Sequence, residues 1–413
     1  MTTITRDDFL RMDANDPLAN FRDEFFLPKG GIYLNGNSLG AMPHAAAERA
    51  KCVIEHEWAE GLIGSMNTAG WYDMPSALGR KIAPLLGAKP NEVVLTDSTG
   101  VNLFKVLSAA LKIQPERRVI VMQGSNFPTN NYMAQGLIAN LGRGYSIRFA
   151  EADDMMDAID QDVAAICITH VHYKTGHILD MASITERAHA VGAAAVWDLC
   201  HSAGAMPVDL NGCNVDFAVA CTYKYINAGP GAPAILFAAE RHHGKYFQPL
   251  TGWFGHRAPF DFDRDYEPIG DIRQMLSGTP PTVSLSLAEI GIDILLRADM
   301  DAIREKSMRM TDLFIELVED RCGKFGFELV SPRDAKHRGS QVSFDKDDGY
   351  PLVRALHERG VLCDFRAPSN VRFGFAPLYL RYVDVWDAVE VLYDILATGS
   401  WKASQFQVRS AVT

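Results

Sequence analysis

Residues 217–237 read FAVACTYKYINAGPGAPAILF. Two apolar runs, 217–221 and 234–237, flank a turn rich in glycine and proline, and Lys224 stands just after the first run. Short apolar runs bounded by glycine and proline are typical of buried β-strands. A lysine at such a strand end either extends its charged end into solvent or offers its amine for Schiff-base chemistry. In this local context alone, the ordinary strand-edge lysine is the commoner case.

The same pattern continues on the amino-terminal side of this stretch, over residues 92–238. Apolar runs rich in β-branched residues alternate with longer stretches in which apolar residues recur every three or four positions, which is typical of βα units. The predicted strands are residues 92–96, 119–123, 146–150, 163–169, 193–198, 217–221 and 234–237. Several are continuously apolar, as expected for strands covered by helices on both faces. The sequence therefore predicts an α/β fold with a mainly parallel sheet.

A region of mixed elements follows the α/β block. Residues 284–322 carry a long helical pattern, which is either one helix or two. The elements predicted after it are strands at 327–330 and 341–344 and helices at 350–359 and 383–396. This mixture predicts a compact α+β domain. We therefore expect a large domain over residues 46–284 and a smaller α+β domain made of residues 1–45 and 285–413.

Composition restricts the class of partner. The 413 residues include 40 Lys plus Arg against 51 Asp plus Glu, a formal net charge of -11, which argues against nucleic acid or an anionic membrane as the main partner. The amino-terminus is polar and acidic, and no apolar stretch approaches the ~18 residues of a membrane span. The seven cysteines form no CxxC pair. We expect a cytoplasmic protein with free thiols that acts on small molecules.

Asp198 ends the predicted strand 193–198 and precedes a turn. Acidic residues at the carboxyl ends of parallel strands face the ligand crevice of an α/β sheet. An enzyme that uses pyridoxal phosphate (PLP) needs a carboxylate at this place, because the anion keeps the pyridine nitrogen protonated and makes the ring an electron sink. The alternative is an aspartate that caps a helix, which is a common role.

Two further strand-to-helix turns extend this pattern. Residues 97–105 (DSTGVNLFK) open a helix whose free N–H groups and hydroxyls suit a phosphate, although an ordinary Ser/Thr cap has the same sequence. Residues 126–130 (NFPTN) open another helix and offer Phe127 for stacking on a pyridine ring, unless that ring is buried in the core. An α/β sheet gathers its ligand contacts in such turns, so the four features together predict a PLP site with Lys224 as its lysine.

The histidines do not indicate a metal site. His170, His172 and His177 form an apparent cluster beside a predicted strand. They lack the acidic or cysteine partners that would complete a set of metal ligands. No metal is predicted.

These residues resemble the kynureninase family of fold type I (aspartate-aminotransferase-like) PLP enzymes. The resemblance covers essentially the whole chain. The segments that carry it are 35–40 (NGNSLG), 127–130 (FPTN), 198–202 (DLCHS), 223–231 (YKYINAGPG) and 277–281 (SGTPP). Each segment is weak alone, but together they are specific. The resemblance implies a fold type I, PLP-dependent transferase-like large domain and a smaller α+β domain.

The resemblance also assigns site residues. It implies that Lys224 forms a Schiff base with PLP, that Asp198 pairs with the pyridine nitrogen and that Phe127 stacks on the ring. The other residues that it implies in cofactor binding are Thr99, Gly100, Pro128, Thr129, Asn130, Thr169, His201, Tyr223, Trp253 and Thr279. Among these, Thr99, Gly100, Thr129 and Tyr223 are similar to phosphate contacts.

Members of the family are homodimers with active sites at the subunit interface. The segments that contain Trp253 and Thr279 are therefore expected to reach across to the partner. Arg372 resembles the family's arginine for the substrate carboxylate. Its fork of donors can bind a carboxylate through two hydrogen bonds, which lysine cannot do, whereas the alternative is a surface salt bridge.

The resemblance implies hydrolysis of the Cβ–Cγ bond of L-kynurenine to anthranilate and L-alanine, in tryptophan catabolism. Lys224 would move a proton between Cα of the substrate and C4′ of the cofactor, and Tyr223 would donate a proton in the late steps. An expected second substrate is 3-hydroxykynurenine, which would give 3-hydroxyanthranilate. The loop 62–71 faces the substrate in this interpretation but matches no fixed pattern, so the preference between the two stays open.

Two positions depart from the family pattern. Cys200 stands where a small residue is frequent, and Thr279 stands where some members have asparagine; both changes are mild. The nearest alternative is a cysteine desulfurase-like or other fold type I lyase, which needs a reactive cysteine in a mobile loop. Cys363 is instead predicted to lie in a strand. A PLP-fold binding protein without turnover is disfavoured by the presence of Lys224 together with Asp198.

Overall fold

The computed structural model describes residues 4–142 and 144–408. The helices are α1 (Arg6–Ala14), α2 (His44–Cys52), α3 (Ser65–Thr68), α4 (Met74–Ile82), α5 (Thr99–Ile113), α6 (Pro128–Leu141), α7 (Met181–Ala190), α8 (Thr282–Arg297), α9 (Met300–Cys322), α10 (Gly349–Glu358) and α11 (Tyr382–Thr398). The strands are β1 (Phe25–Phe26), β2 (Ile32–Tyr33), β3 (Met42–Pro43), β4 (Val93–Thr96), β5 (Val119–Gln123), β6 (Ser146–Ala150), β7 (Val163–Thr169), β8 (Ala194–Asp198), β9 (Phe217–Ala220), β10 (Ala234–Ala238), β11 (Glu328–Leu329), β12 (Gln341–Asp345), β13 (Val361–Leu362), β14 (Asp364–Arg366) and β15 (Asn370–Gly374).

Seven strands form the large sheet, in the order β4-β10-β9-β8-β7-β5-β6. β10 is antiparallel to both of its neighbours, and the other neighbouring pairs are parallel. β4, β7, β8, β9 and β10 are buried along their whole length, which explains their continuously apolar sequences. The seven predicted strands are therefore confirmed, each to within one residue at either end.

The large sheet separates two hydrophobic cores. Side chains alternate between the faces of a strand, and in β8 Trp197 belongs to one core while Val196 belongs to the other. Leu285 of α8 lies in the same core as Trp197, and Leu107 of α5 lies in the same core as Val196. Helices therefore cover both faces of the sheet, as its apolar strands require.

The parallel strands of this sheet end along one edge, and the connecting turns lie together there. α5 begins three residues after β4 ends, and α6 begins five residues after β5 ends. The turns after β7, β8 and β9 follow at the same edge, because these strands are parallel neighbours. This is where an α/β sheet forms its ligand crevice.

A second sheet has the order β11-β12-β15-β14 and is antiparallel throughout. It follows the pair α8 and α9, so the long helical pattern predicted at 284–322 consists of two helices. The break falls at residues 298 and 299, where the Asp299 side chain caps α9 by accepting from the amide of Asp301 over 2.9 Å. The α+β character predicted for this region is confirmed.

The amino-terminal segment packs on the carboxyl-terminal part of the chain. β2 pairs in parallel with β13, and Asn35 forms an isolated bridge to Gly374. Arg6 of α1 forms an ion pair with Asp387 of α11. These contacts support our proposal that residues 1–45 and 285–413 form one domain beside a large domain at 46–284. Among the described residues, no helix is both long and apolar enough to cross a membrane.

Candidate active site

The carboxyl ends of the parallel strands enclose a cavity of about 360 Å³. The predicted site residues that line it are Thr99, Gly100, Phe127, Thr129, Asn130, Thr169, Asp198, His201, Tyr223, Lys224 and Arg372. Asn37, Ser38, Tyr173 and Arg366 also line it, although none of them was predicted as a site residue. The structure thus brings together most of the residues that the sequence singled out.

Lys224 follows β9 and faces a histidine. Its Nζ atom lies 3.0 Å from Nε2 of His201 and 5.9 Å from the centre of the Tyr223 ring. The turn is closed by the amide of Asn227, which donates to the carbonyl of Lys224 over 2.9 Å. A Cβ atom on Gly40 would lie 2.2 Å from that same carbonyl oxygen. The glycine that ends the NGNSLG segment is therefore needed for the segment to pass this close to the lysine.

A glutamine from the small sheet determines which nitrogen of His201 carries the hydrogen. Gln341 in β12 donates from Nε2 to the carbonyl of Tyr173 over 2.8 Å, which turns its Oε1 atom toward His201. Oε1 lies 2.9 Å from Nδ1 of His201, so Nδ1 is the donor. Burial, and then the positive charges of Lys224 and Arg372, hold the pKa of His201 well below its usual value. The ring is neutral, and its Nε2 lone pair faces Lys224.

Asp198 is a buried carboxylate without a cationic partner among the described residues. The side-chain amide of Asn130 donates to its Oδ2 over 2.7 Å, and the backbone amide of Cys200 donates to its Oδ1 over 2.8 Å. Both donors are neutral, and only 4% of the residue is exposed. A buried carboxylate is costly unless a positive charge compensates it. A protonated pyridine nitrogen would supply that charge.

The start of α5 forms a site suited to a phosphate. Ser98 caps the helix by accepting from the amide of Val101 over 3.4 Å, which leaves the preceding first-turn N–H groups without partners inside the helix. A Cβ atom on Gly100 would lie 2.9 Å from the terminal methyl group of the flexible Met133 side chain, so α6 packs closely against this turn. Free N–H groups and the helix dipole favour a phosphate here. The role predicted for Thr99 and Gly100 is consistent with this geometry.

A buried lysine anchors the turn before α5. Asp97 has a φ of 43°, in the left-handed region that non-glycine residues rarely occupy. Lys105 donates from Nζ to Oδ2 of Asp97 over 2.7 Å and to the carbonyl of Met275 over 2.7 Å. This ion pair holds the strained turn in place, because breaking it would leave the lysine charge buried without compensation.

Phe127 presents an aromatic face to the cavity. It is 49% exposed, and its ring packs edge-on against Tyr173 with the centroids 5.3 Å apart. Pro128 occupies the first turn of α6, where its fixed φ suits the start of a helix. Pro128 itself does not line the cavity, so its predicted part in cofactor binding stays a prediction. The open ring face of Phe127 fits a stacked heteroaromatic ring.

Tyr223 and the nearby thiol of Cys200 carry their protons. Burial, followed by the neighbouring Cys221, raises the pKa of Tyr223 far above its usual value. Hydrogen bonding with Cys221 and burial raise the pKa of Cys200. The Tyr223 phenol can therefore act as a proton donor in this cavity, whereas the Cys200 thiol is a poor nucleophile.

Trp253 and Thr279 lie outside this cavity. Trp253 is 39% exposed and packs on Phe254 with the ring centroids 4.4 Å apart, and Thr279 is exposed. Neither side chain lines the cavity of its own chain. The prediction that they contribute to the site of a partner subunit stays a prediction.

Arg372 lies at the wall of the cavity but is largely occupied by protein groups. It is 2% exposed, and its Nε atom donates to Asp364 over 2.8 Å. Its Nη2 atom donates to the same carboxylate and, over 2.9 Å, to Ser38; its Nη1 atom donates to the carbonyl of Tyr173. The alternative of a surface salt bridge is wrong, because the ion pair is buried. The carboxylate role predicted for Arg372 stays a prediction.

The site residues that sequence reasoning missed come mainly from the small sheet and the amino-terminal segment. Gln341, Asp364 and Arg366 lie in β12 and β14, and Ser38 lies within the NGNSLG segment. The signal available for two of them was the spacing Asp-x-Arg at 364–366, which places both side chains on one face of a strand. No local signal pointed to Gln341.

The chain is similar to known proteins over its whole length. A family model described as the kynureninase C-terminal domain matches residues 303–392. A kynureninase of Burkholderia mallei is 53% identical over 414 aligned residues, covering 99% of this chain and 100% of that protein. A kynureninase of Pseudomonas fluorescens is 50% identical, with the same coverage.

Solved structures show the same fold at low sequence identity. A cysteine desulfurase of Thermococcus onnurineus NA1 is 21% identical, with a TM-score of 0.76 over 92% of this chain and 98% of the other. A mutant of C-DES with glycine covalently linked to its PLP cofactor is 16% identical, also with a TM-score of 0.76, over 95% of this chain and 100% of the other. These similarities concern the fold alone.

Proposed function

Because this chain belongs to the kynureninase family, we propose that it cleaves the Cβ–Cγ bond of L-kynurenine with water, releasing anthranilate and L-alanine. It is a PLP-dependent hydrolase, and it has the predicted fold type I architecture. The proposal includes 3-hydroxykynurenine as a second substrate and a role in tryptophan catabolism. The observation that carries it is the contact between Lys224 and neutral His201, in one cavity with the uncompensated carboxylate of Asp198.

The residues of the cavity fit PLP. Lys224 would hold it covalently, Asp198 would pair with its ring nitrogen and Phe127 would stack on its ring. The residues proposed for the rest of the cofactor are Thr99, Gly100, Thr129 and Tyr223 at the phosphate, and Asn130, Thr169 and His201 around the ring, with Pro128 positioning Phe127. When bound, PLP withdraws the electron pair that remains at Cα of an amino acid after its proton has left.

Lys224 is the proposed base at Cα. Its amine must be neutral to take the Cα proton, and the Nε2 lone pair of His201, 3.0 Å away, can accept a hydrogen bond from that amine. Since Gln341 already accepts from Nδ1, this lone pair stays available. The neutral ring of His201 therefore orients the Lys224 amine in the cavity without competing for its proton.

Tyr223 is the proposed acid of the late steps. Water that adds to the γ-carbonyl of kynurenine gives a diol, and collapse of this diol breaks the Cβ–Cγ bond, so that anthranilate leaves and the electron pair stays on Cβ. Burial raises the pKa of Tyr223, so its phenol keeps a proton to deliver to Cβ. That protonation leads to L-alanine.

We propose a homodimer in which each site is completed by the partner. The positions of Trp253 and Thr279 on the surface, outside the cavity of their own chain, support this proposal. Large apolar side chains that are more than two-fifths exposed lie near these segments and near the loop 62–71 in the sequence: Ile54, Trp58, Leu62, Ile63, Phe260 and Phe262. Exposed apolar groups of this kind favour burial against another protein surface.

The proposed location is the cytoplasm, and the proposed partners are small amino-acid substrates. All seven cysteines are free thiols in the structure, which suits a reducing compartment. The net charge of -11 disfavours nucleic acid as a partner.

The alternative of a cysteine desulfurase has the same fold but lacks support from the thiols. Cys363 is fully buried between β13 and β14 and does not line the cavity. Burial raises the pKa of its thiol well above the usual value, which makes it a poor nucleophile. Cys200 lines the cavity, but its pKa is raised as well. We therefore keep this alternative only as an outcome of the test.

The test is an assay of the purified full chain loaded with PLP. L-kynurenine should give anthranilate, detected by its fluorescence, together with an equal amount of L-alanine. L-cysteine should give neither sulfide nor enzyme-bound persulfide. If anthranilate does not form and L-cysteine is desulfurated instead, the alternative replaces the proposed function.

A further inference from the structure

A second cleft lies next to the cofactor cavity but is separate from it. It has a volume of about 420 Å³, and it lies where the turns after β5, β6 and β7 meet the loop that follows β11. Ser125 lines this cleft, whereas the next two residues, 126 and 127, line the cofactor cavity. No residue lines both, so a ligand of this cleft would be distinct from the cofactor and the substrate.

A buried glutamine at this cleft has a side-chain oxygen without a partner. Gln123 is the last residue of β5, lines the cleft and is 3% exposed. No described residue donates to its Oε1 atom, although buried side-chain oxygens in folded proteins nearly always accept a hydrogen bond. A ligand with N–H groups would supply the missing donor.

Two carboxylates give the cleft a negative charge. Glu151 and Asp153 follow β6, line the cleft and are exposed. Glu151 accepts from the hydroxyl of Ser125, which is a neutral donor, and no lysine or arginine among the described residues pairs with either carboxylate. No lysine or arginine belongs to the described lining of the cleft either. The two charges are uncompensated and favour a cationic ligand.

A neutral imidazole adds a further acceptor. Burial, followed by the charge of His337, lowers the pKa of His177, so the ring of His177 is uncharged at neutral pH and has one nitrogen lone pair. Among the described residues, however, no group of three His, Cys, Asp or Glu side chains could hold a metal ion. Glu151, Asp153 and His177 therefore do not converge on one metal position, and the cleft suits an organic cation that reaches acceptors set apart from one another.

The kind of organic cation follows from these acceptors. A guanidinium group carries five N–H donors in a planar fork, stays charged at neutral pH and binds carboxylates through paired hydrogen bonds. An ammonium group has only three donors, all on one atom, and is more strongly hydrated. Val330 and Pro332 line the cleft with partly exposed apolar side chains, against which an alkyl chain can pack.

We propose that this cleft is a second ligand site, which binds a small alkylguanidinium compound. The guanidinium group binds Glu151 and Asp153 and donates to Oε1 of Gln123. The alkyl chain packs on Val330 and Pro332. The proposal does not depend on the reaction at Lys224, because the cleft and the cofactor cavity share no lining residue.

The test uses two ligands of nearly the same shape that differ in charge, n-butylguanidinium and n-butylurea. Neither has an aliphatic amine that could react with PLP. Binding of each to the PLP-loaded full chain is measured by calorimetry at about 0.15 M salt, which screens weak surface attraction. Wild type should bind butylguanidinium with a Kd of about 1 mM or tighter, and at least about tenfold more tightly than butylurea. Failure to bind butylguanidinium, or equal binding of the two ligands, overturns the proposal.

Variants locate the binding to the cleft. The double variant Glu151→Gln with Asp153→Asn should reduce the ratio of the two affinities to about one. Both positions are exposed, so the fold should be kept, and the absorbance of lysine-bound PLP checks this. Asp154→Asn is the matched control, because it removes the same charge from an exposed residue that does not line the cleft, and it should keep the wild-type ratio. A wild-type ratio in the double variant, or an equal fall in Asp154→Asn, overturns the proposal.

Two further measurements separate a built site from general attraction to negative charge. Gln123→Met removes the unpaired oxygen without changing the charge and should weaken butylguanidinium binding about threefold or more. Unchanged binding in that variant overturns the proposed contact. Excess Mg²⁺ at matched ionic strength should not displace butylguanidinium from wild type, whereas displacement would make the cleft a metal site and overturn the proposal. The double variant carries the test if Gln123→Met does not fold.

Discussion

The Nζ atom of Lys224 lies 3.0 Å from Nε2 of His201, and the opposite nitrogen of the same ring lies 2.9 Å from Oε1 of Gln341. Lys224, His201 and Gln341 thus form a continuous chain of hydrogen bonds. Gln341 belongs to the small antiparallel sheet, whereas Lys224 follows a strand of the large sheet. The hydrogen-bonding state of the lysine therefore depends on how the two parts of the chain pack together.

Replacing the lysine tests the centre of the site. Lys224→Ala should abolish turnover and remove the absorbance of lysine-bound PLP, because no other amine among the described residues lines the cavity. The measurements are anthranilate fluorescence and the visible spectrum of the purified protein. Lys89→Ala, at an exposed ion pair with Glu240, is the control and should match wild type in both. Near-normal turnover in Lys224→Ala would show that Lys224 is not the lysine that holds PLP.

Gln341→Glu tests whether the glutamine acts as a positioning residue for His201. A carboxylate that accepts from Nδ1 stabilises the imidazolium form, so the pKa of His201 should rise from its lowered value. An imidazolium has a hydrogen on Nε2 and cannot accept one from Lys224. The fall of kcat/KM on the acid side should therefore move to higher pH, by about one unit or more.

The readout for Gln341→Glu is a pH profile together with nitrogen NMR of the histidine ring, which reports its protonation directly. Gln341→Met serves as the comparison, since it removes the acceptor without adding a charge. Gln341→Met should lower kcat/KM without shifting the acid side of the pH profile to higher pH. Superimposable profiles for Gln341→Glu and wild type would show that the glutamine is only a packing residue.

The large sheet could be predicted from the sequence because each of its strands is a separate apolar run. Strands such as β7 and β8 are buried on both faces, so burial alone determines their composition. The antiparallel direction of β10 could not be predicted from the sequence, because an apolar run has the same composition whichever way the strand lies in the sheet. The two-residue strands β2 and β13 were also missed, because their pairing depends on tertiary contact rather than on a local pattern.

The site was predictable where its chemistry lies at strand ends. Lys224 and Asp198 follow apolar runs directly, and the topology of parallel strands then brings them together. Gln341 forms a hydrogen bond with His201, which lies 140 residues away in the chain, and no local sequence pattern predicts a contact between residues so far apart. Arg366 was missed because a charged residue in a short strand normally indicates a solvent-facing position.

Asp216 provides a prediction on stability that is independent of activity. It is a buried carboxylate immediately before β9, and it contacts His189 at 2.7 Å, His242 at 2.6 Å and Arg241 at 2.7 Å. Burial acts to raise its pKa, but the hydrogen bonds from the histidines outweigh this effect, and the folded-state pKa lies well below the usual value. A depressed folded pKa contributes stability above the unfolded pKa of about 4, and this contribution is lost as pH falls further.

Asp216→Asn should therefore lower the free energy of unfolding by about 3 kcal/mol at neutral pH, because it removes the anion from a buried ion pair. The difference from wild type should shrink as pH falls below about 4, where the native carboxyl loses its advantage over the unfolded one. Chemical denaturation at several pH values measures this. Glu267→Gln, at an exposed pair with Arg257, is the control and should change stability by less than about 0.5 kcal/mol. A difference that does not vary with pH would contradict the electrostatic explanation.

Tyr223→Phe separates cleavage of the carbon–carbon bond from the proton transfers that follow. Burial keeps the phenol protonated, so its proposed role is to deliver a proton to Cβ after anthranilate has left. Without the phenol, the first anthranilate should still form quickly. The next turnover should then be delayed, because Cβ must be protonated by another, slower donor. Rapid-mixing fluorescence should show a burst of about one anthranilate per site followed by turnover slowed by about 100-fold or more. Tyr225→Phe, which removes a buried hydroxyl bonded to Ser340 and not part of the cavity lining, should show no burst. If Tyr223→Phe slows the first turnover and the later ones equally, the phenol acts before bond cleavage and the late-acid role is wrong.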